Sequence, residues 1–521
     1  MDLSDTHEIT PRRHFEFDAE KIEQLHKRIH ENAQHLGDLP LALEDAKLPE
    51  FAESKDPWHQ PKASELKAKG KELREKVPRS SHAELALENR LDPVEVLRGQ
   101  EKSRVEELLP LRHTRMAATP FTFYRGAAAI MAGDLSRTPA TGITVQACGD
   151  AHVSNFGLFE SAERNLVFDI NDFDETLPGP WEWDVKRLAA SIEICGRDRG
   201  FGKDQREDAV FATVNAYRRA MRSFSKMGNL EVWYTYVDAE HMIAMESEHI
   251  PETSLAAIEK LFEKARAKNS SRAVRKLTER DAEGRLRIVS KPPEIVPMRE
   301  LVDVPDSAGA RTRIELGVKL LIRSYLASLP RERRRLVGQY SIMDAARKVV
   351  GVGSVGTRCW MLVLQGRDEN DPLVLQIKEA ESSVLEPYVG KSRCLQHGER
   401  VVTGQRAIQN SGDILLGWMR APGEDNVMHD YYVRQLWDGK GSFDLEKLDA
   451  SGLANLGRLC GWTLARSHAR TGDRHEIAGY LGKSEAFDEA IVAFSRAYAD
   501  LNDRDYDRFL KALSAKEIAG A

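Results

Sequence analysis

The segment GVGSVGT, residues 351–357, restricts the fold more than any other stretch of the chain. Gly351, Gly353 and Gly356 fit a GxGxxG pattern, and glycines let a backbone approach phosphate oxygens without obstruction by Cβ. In a dinucleotide-binding fold such a loop opens a helix, whose N-terminus meets the pyrophosphate. Here DAARKVV precedes the loop and CWMLVLQG follows it. Both are short runs of β-branched and aliphatic residues, which read as strands. Strand, glycine loop, strand argues against the dinucleotide arrangement and for a hairpin that lies over its ligand. The next strand, DPLVLQIKEA, carries Lys378 in its alternation. A glycine pattern alone is more often a tight turn, and a lysine at a strand end a solvated charge. The two in succession favour a phosphate-binding reading over either.

A second cluster lies about two hundred residues earlier, in CGDAHVSNFG (148–157) and FDINDFDE (168–175). Asp150 and Asn155 stand five positions apart, and NLVFDINDFDE reads as a strand that ends in acids, Asp172 foremost, with Asp169 and Asp174 as neighbours able to share its role. One Asp in such a place is usually a turn or a helix cap. Three hard oxygen donors arriving together are not explained that way, and carboxylate and amide oxygens are what a magnesium ion on phosphates requires. Upstream, FTFYRGAAAIMAGDL (121–135) sets Arg125 before a small-residue helix. A phosphate or carboxylate in a cleft and an ordinary structural ion pair are about equally good partners for it.

The rest of the chain bounds these readings. Its 521 residues suffice for two to four domain-sized units or one large two-lobed one. A net charge of −6 lacks the basic excess that nucleic-acid or membrane-surface binding draws on. The five cysteines are scattered with no CxxC pair, so neither a disulfide framework nor a zinc ribbon is indicated. The polar N-terminus MDLSDTHEITPRRHFEFD has no signal-peptide character, and no apolar run reaches the length of a membrane span. The expectation is a reduced, cytoplasmic globular protein. Residues 1–80 read as a partly ordered extension, ASELKAKGKELREKV within it as a solvated helix. LTERDAEGRLR (277–287) reads as a mobile or hairpin-like connection, and RIELGVKLLIRSYLASLP (313–330) as a helix stopped by Pro330. DILLGWMRAP and DYYVRQLWDGKG read as two further strands. LDASGLANLGRLCGWTLARSHAR and EAFDEAIVAFSRAYADL have helical periodicity.

GDAHVSNFG resembles the catalytic loop of aminoglycoside and choline kinase-like phosphotransferases, roughly Gly-Asp-x-His-x-x-Asn, and NDFDETLPGPWEWDVKRLA resembles their metal-binding segment with the Asp-bearing helix after it. Strand, glycine loop, strand and lysine resemble the nucleotide-covering flap of the same class. More narrowly, GDAHVSNFG, DFDE, KVVGVGSVGTR and KEA together are similar to the bacterial family called domain of unknown function 2252, from about residue 75 onward. The resemblance implies ATP and Mg²⁺ as cofactors. It makes Asp150 the catalytic Asp, Asn155 and Asp172 metal ligands, and His152 a structural loop residue. It gives Gly351, Gly353, Ser354, Gly356 and Lys378 to the nucleotide, with Asp174 in support. Asp184, in WEWDVKRL, is implied to brace the catalytic loop through backbone N–H groups. Lys378 should be held by a Glu on the following helix, HGERVVTGQRAIQ (397–409). Glu399 is the candidate, with Glu381 and Glu386 as alternatives.

The order of these pieces departs from that class, in which the flap and lysine precede the catalytic loop. NLGRLCGWTLARSHAR (455–470) looks like the helix that should lead into the catalytic loop, and the loop is supplied instead by residues 145–175. The expectation is therefore an α+β, protein-kinase-like two-lobed fold, circularly permuted, which is permissible because packing rather than connectivity defines a site. Residues 81–335 would form the first part of the large lobe, 336–438 a small β-rich nucleotide-binding lobe, and 439–521 helices completing the large lobe. The base would lie near Gln435–Asp438. His468 reads as a packing or capping residue. The function implied is phosphoryl transfer from ATP to a hydroxyl acceptor, a small molecule rather than a protein, with no nucleic-acid or membrane partner. The alternatives are nucleotidyl (AMP) transfer to a protein and a non-catalytic nucleotide-binding module.

Overall fold

In the computed structural model, residues 61–238, 252–301, 321–349, 351, 353–423 and 427–518 are described. The runs around the glycine loop do form strands. Ser341–Lys348 and Cys359–Gln365 pair antiparallel across it, and Pro372–Ala380 pairs with the second of them, Cys359 opposite Lys378. Helix His397–Ile408 follows, and then Gly417–Pro422 and Met428–Gln435. The resulting antiparallel sheet has the spatial order Gly417–Pro422, Met428–Gln435, Pro372–Ala380, Cys359–Gln365, Ser341–Lys348, Ile295–Pro297.

The sheet therefore reaches beyond the span 336–438, since Ile295–Pro297 supplies its sixth strand. Alternation gives it two covered faces. Leu362, Leu364, Leu373, Leu375 and Val433 pack against Tyr325 and Leu329 at the end of the helix over 321–327. Met361, Val363 and Val374 pack against Ala273 and Leu277 of helix Ser270–Leu277. Lys378 shares the second of these faces with Val374. The DILL of DILLGWMRAP is not strand, because the Asp413 carboxylate takes the N–H groups of Leu415 and Gln435 and folds the chain there into a turn. The hairpin expected at 277–287 forms from Thr278–Arg280 and Leu286–Ile288.

The rest is mainly helical, around one large core that includes Trp181, Leu188, Val214, Leu464, Ile491 and Phe494. It is built on helices Trp181–Asp198, Lys203–Phe224, Ala450–Thr471 and Ala486–Ser514. Ala450–Thr471 runs close against Lys203–Phe224, and a Cβ on Gly461 would stand 2.2 Å from the Thr213 carbonyl oxygen, so only glycine fits there. The stretch ASELKAKGKELREKV contains helix Ala63–Lys76, with Gly70 its one buried residue. Arg74 in its last turn and Arg79 beyond it donate to the carbonyls of Tyr480 and Leu481, at 2.8 and 2.7 Å, which ties that helix to the large core. Residues 1–60 and 313–320, the latter the start of the helix expected over 313–330, lie outside the described residues. Among the described residues no helix is long and apolar enough to cross a membrane.

A hairpin, extended by Val237–Asp238, and a second antiparallel pair that flanks it in sequence lie beside the helices of the large core. Phe156–Glu160 pairs with Leu166–Ile170, and Thr144–Ala147 with Leu177–Pro180. After the sheet's last long strand the chain passes along the hairpin, with Leu158 and Gly441 exchanging backbone hydrogen bonds of 2.8 and 2.9 Å. The acids of the connecting segments 148–155 and 171–176, at the open end of the hairpin, are thereby carried to the sheet face that bears Lys378.

Candidate functional site

The loop Cys148–Asn155 is held from below. Gly149 turns the chain at φ +81°, and a Cβ there would meet the carbonyl of Glu175 at 2.4 Å. Asp184, in the first turn of helix Trp181–Asp198, accepts from the N–H groups of Cys148 (2.6 Å) and Gly149 (2.9 Å). His468 Nε2 stands 3.2 Å from the same carboxylate and Tyr217 Oη 2.8 Å from His468 Nδ1. The pattern is satisfied when the tyrosine donates to Nδ1 and Nε2–H donates to Asp184. His468 is thus a buried bridge rather than the cap or packing residue its position at a helix end suggests.

Asp150 rises from this base with its side chain one-fifth exposed. One carboxylate oxygen accepts from Arg187 Nε at 2.8 Å. Arg187 is itself fixed, its guanidinium 3.8 Å from the Tyr124 ring centroid and its Nη2 donating to the Tyr124 carbonyl at 2.8 Å. Burial raises the Asp150 carboxyl above the usual range, and Arg187 opposes that shift without cancelling it. His152 is buried, its Nε2 3.7 Å from the second Asp150 oxygen, and burial holds its pKa low. Asn155 donates from Nδ2 to the Asp150 carbonyl at 2.8 Å, which leaves its Oδ1 as the acceptor end. Its own carbonyl accepts from Asn171 N at 2.8 Å, so Asn155 and Asp172 stand at the same end of the hairpin.

Asp172 and Asp174 face the sheet. Burial pushes the Asp172 carboxyl up, but Lys378, Arg434 and Lys440 outweigh it and hold the group below the usual range. Lys378 is 2 % exposed, and its ammonium forms an ion pair with Asp174, whose other oxygen accepts from Tyr432 Oη at 2.8 Å. Burial would lower the Lys378 pKa; Asp172 and Asp174 raise it instead. Lys440 is pushed down to about 7 by burial, with Arg434 adding to the effect.

The glycine loop closes over this group. Ser354 Oγ lies 3.4 Å from Asp174 Oδ2. The loop's carbonyls point away from the acids: Gly353 accepts from Arg112 (2.8 Å), Val355 from Arg104 (2.6 Å) and Gly356 from Val105 N (2.8 Å). The amides of Val355 and Gly356 donate to no other described group. Gly351, at the loop's outer edge, touches nothing within reach of a Cβ.

The expected partner of Lys378 requires a correction. The Glu399 carboxylate accepts from Leu395 N at 3.1 Å, at the start of its own helix, and Glu386 lies 3.9 Å from His397. Neither they nor Glu381 form the ion pair, which Asp174 takes. The residue of helix His397–Ile408 that enters the site is Arg400. It is buried and donates to the carbonyls of Thr176 (2.7 Å), Asp174 (2.8 Å) and Glu381 (2.7 Å). Asp169 is likewise withdrawn, its carboxylate engaged by Arg466 at 2.7 Å and Asn410 N at 3.1 Å. Arg187, Arg400, Tyr432, Arg434 and Lys440 were not singled out from sequence. Strand alternation could have found Tyr432, directly opposite Lys378, and Arg434 two residues on.

A small polar cavity bounded by Asn171, Gln405, Arg434, Gln435 and Lys440 adjoins the acids. A second, apolar cavity under Tyr325, Leu375 and Met419 lies on the opposite face of the sheet and contains none of these groups. Among the described residues no group of three or more His, Cys, Asp or Glu forms a metal cage. The available donors are the Asn155 amide oxygen and the Asp172 carboxylate.

No curated protein and no solved structure matches the chain. Residues 104–512, which contain every element of the site, match one family, and the chain belongs to it: the family described as "Uncharacterized protein conserved in bacteria (DUF2252)".

Proposed function

We propose that the protein is an ATP- and Mg²⁺-dependent phosphotransferase with a protein-kinase-like, circularly permuted two-lobed fold, moving the terminal phosphoryl group of ATP to the hydroxyl of a small molecule. One observation carries the reading. Lys378, on the strand after the glycine loop, pairs with Asp174, two residues from Asp172 and about two hundred residues away in sequence. The sheet supports it, since the lysine stands on the third strand counted from the flap, followed by a helix and two more strands, as in protein kinases. So does His468, at the end of the helix that precedes the catalytic loop in the unpermuted order, because it reaches Asp184 beneath that loop.

In this reading an incoming triphosphate competes with Asp174 for Lys378 and takes the amides of the glycine loop. The base lies along 435–438. Gln435 N, Leu436 N and the Asp438 carbonyl are already bonded there, which leaves the backbone of Trp437 to meet it. Asn155 Oδ1 and Asp172 would hold the magnesium ion, since two oxygen donors suffice for an ion that completes its shell with phosphates and water. The metal supplies charge neutralisation on the phosphates. Asp150, kept in place by Arg187, orients the acceptor hydroxyl and receives its proton late, because such transfer depends mainly on positioning and charge stabilisation.

The test is a thermal-shift titration with MgATP followed by labelling. A ligand bound only by the native state raises stability by about 2.7 kcal/mol at a hundred times its dissociation constant. Transfer of label from the γ- but not the α-phosphate is expected. Transfer from the α-phosphate would make the reaction nucleotidyl transfer, and no shift would end the nucleotide reading.

A further inference from the structure

Several cations stand around the acids, and three of them have committed side-chain or backbone partners beside those acids. Arg187 is on Asp150, Lys378 on Asp174, and Arg434 donates to Gln376 Oε1 at 3.0 Å and to the Asn171 carbonyl at 3.3 Å. Lys440 borders the polar cavity with Asn171 and Gln435, and Arg125 stands on the other side, in the last turn of helix Pro120–Gly126. Its Nε is sealed from solvent without a hydrogen-bond partner, and its guanidinium donates to no described group. Its charge nevertheless acts on Asp150, on Asp172 and on His152. The flap packs against the backbone of the same residue, since a Cβ on Gly353 would be 3.5 Å from the Arg125 carbonyl. That flap is tied to the same arm of chain by Arg104, Val105 and Arg112.

A guanidinium offers five N–H donors in a rigid fork and is costly to bury without an anion. Between Asp150, which on the reading above faces the acceptor, and the flap, which faces the nucleotide, the anion that belongs there is the group in transit. We propose that Arg125 is a ligand of the terminal phosphate of the bound nucleoside triphosphate. It contributes a bidentate contact to the phosphoryl group as the bond to the β,γ-bridging oxygen breaks, a bond to the acceptor oxygen forms, and the acceptor proton passes to Asp150. The inference rests on the phosphotransferase reading and adds to it the group that distinguishes a triphosphate from a diphosphate.

The experiment compares calorimetric affinities of the full chain for a magnesium complex of a non-hydrolysable ATP analogue and for MgADP, in wild type, Arg125→Ala and Arg125→Lys. Charge-assisted hydrogen bonds of this kind are worth about 10- to 100-fold in affinity. Arg125→Ala is expected to lose that factor for the triphosphate, to hold MgADP within about twofold, and so to bring the two affinities together, with Arg125→Lys between. Melting curves without nucleotide identify a variant that fails to fold, in which case Arg125→Lys carries the comparison. A variant that keeps the wild-type ratio, or weakens both nucleotides equally, overturns the assignment. Wild-type protein that binds neither nucleotide overturns the underlying reading and this one with it.

Discussion

Helix Trp181–Asp198 buries charge on two faces in two different ways. On one, Asp184 accepts from two backbone amides and is bridged by His468, while Arg187 spends its donors on Asp150 and the Tyr124 carbonyl. On the other, Glu182 accepts from Thr141 N at 2.6 Å but leaves Oε2 without a partner. Lys186, also fully buried, makes no hydrogen bond among the described residues; the Phe494 ring lies 4.6 Å from its ammonium, and Glu182 and Glu84 attract it only through space. Burial lowers Lys186 to about 7 and raises Glu182. Buried charge by itself therefore does not mark a site. A matched network over-determines the geometry of a loop, whereas the partly matched pair holds a single backbone amide and leaves the rest of its buried charge as a cost to stability.

The largest expected effect comes from breaking the matched face. Asp184→Ala strands the amides of Cys148 and Gly149 and the ring of His468 in a dry interior. Removing one member of a buried charged network typically costs ~3–5 kcal/mol. Denaturant unfolding should register a loss of that order, and the folded fraction should lack the activity that depends on Asp150. A loss below about 1 kcal/mol would mean that the loop holds its shape without the brace.

The same contrast recurs between adjacent residues of helix His397–Ile408. Arg400 clamps three carbonyls of the acid segment, whereas Glu399 only accepts from a backbone amide at its own helix start. Arg400→Ala is expected to cost roughly 2–4 kcal/mol and to weaken nucleotide binding, and Glu399→Ala less than about 1 kcal/mol with binding unchanged. Equal effects of the two on nucleotide affinity would restore Glu399 to the site.

That pair also marks the limit of what sequence conveys. Asp150, Asn155, Asp172 and Lys378 were legible because each sits in a short local pattern whose chemistry is explicit: an Asp and an Asn five apart, acids ending a strand, a lysine after a glycine hairpin. The antiparallel strands between 341 and 435 were legible as short runs of β-branched and aliphatic residues punctuated by glycines. Periodicity could not tell which of two neighbours on one helix turns inward, because successive positions differ by only about 100° and docking of the helix decides. Nor could it find Arg187, an ordinary arginine on an amphipathic helix until Tyr124 and Asp150 arrive from elsewhere in the chain. His468 looked like a helix end because its partners, Tyr217 and Asp184, are distant in sequence.

On the unmatched face, removal of the charge should change stability least. Lys186 titrates near 7 when folded and near its ordinary 10.5 when unfolded. Between those values the unfolded chain holds the extra proton, so this residue makes stability rise with pH across that window and costs its full penalty below about pH 7. Lys186→Met keeps the stem's volume and removes the ammonium, at the loss of its contact with the Phe494 ring and of its attraction to Glu182. The net gain expected is about 1–3 kcal/mol at pH 7, shrinking toward zero as the pH approaches 10. Denaturant midpoints at pH 7 and 9.5 measure it. If the variant is less stable at pH 7, or its gain does not shrink with pH, then Lys186 is matched after all and the two faces of the helix do not differ in the way their hydrogen bonds indicate.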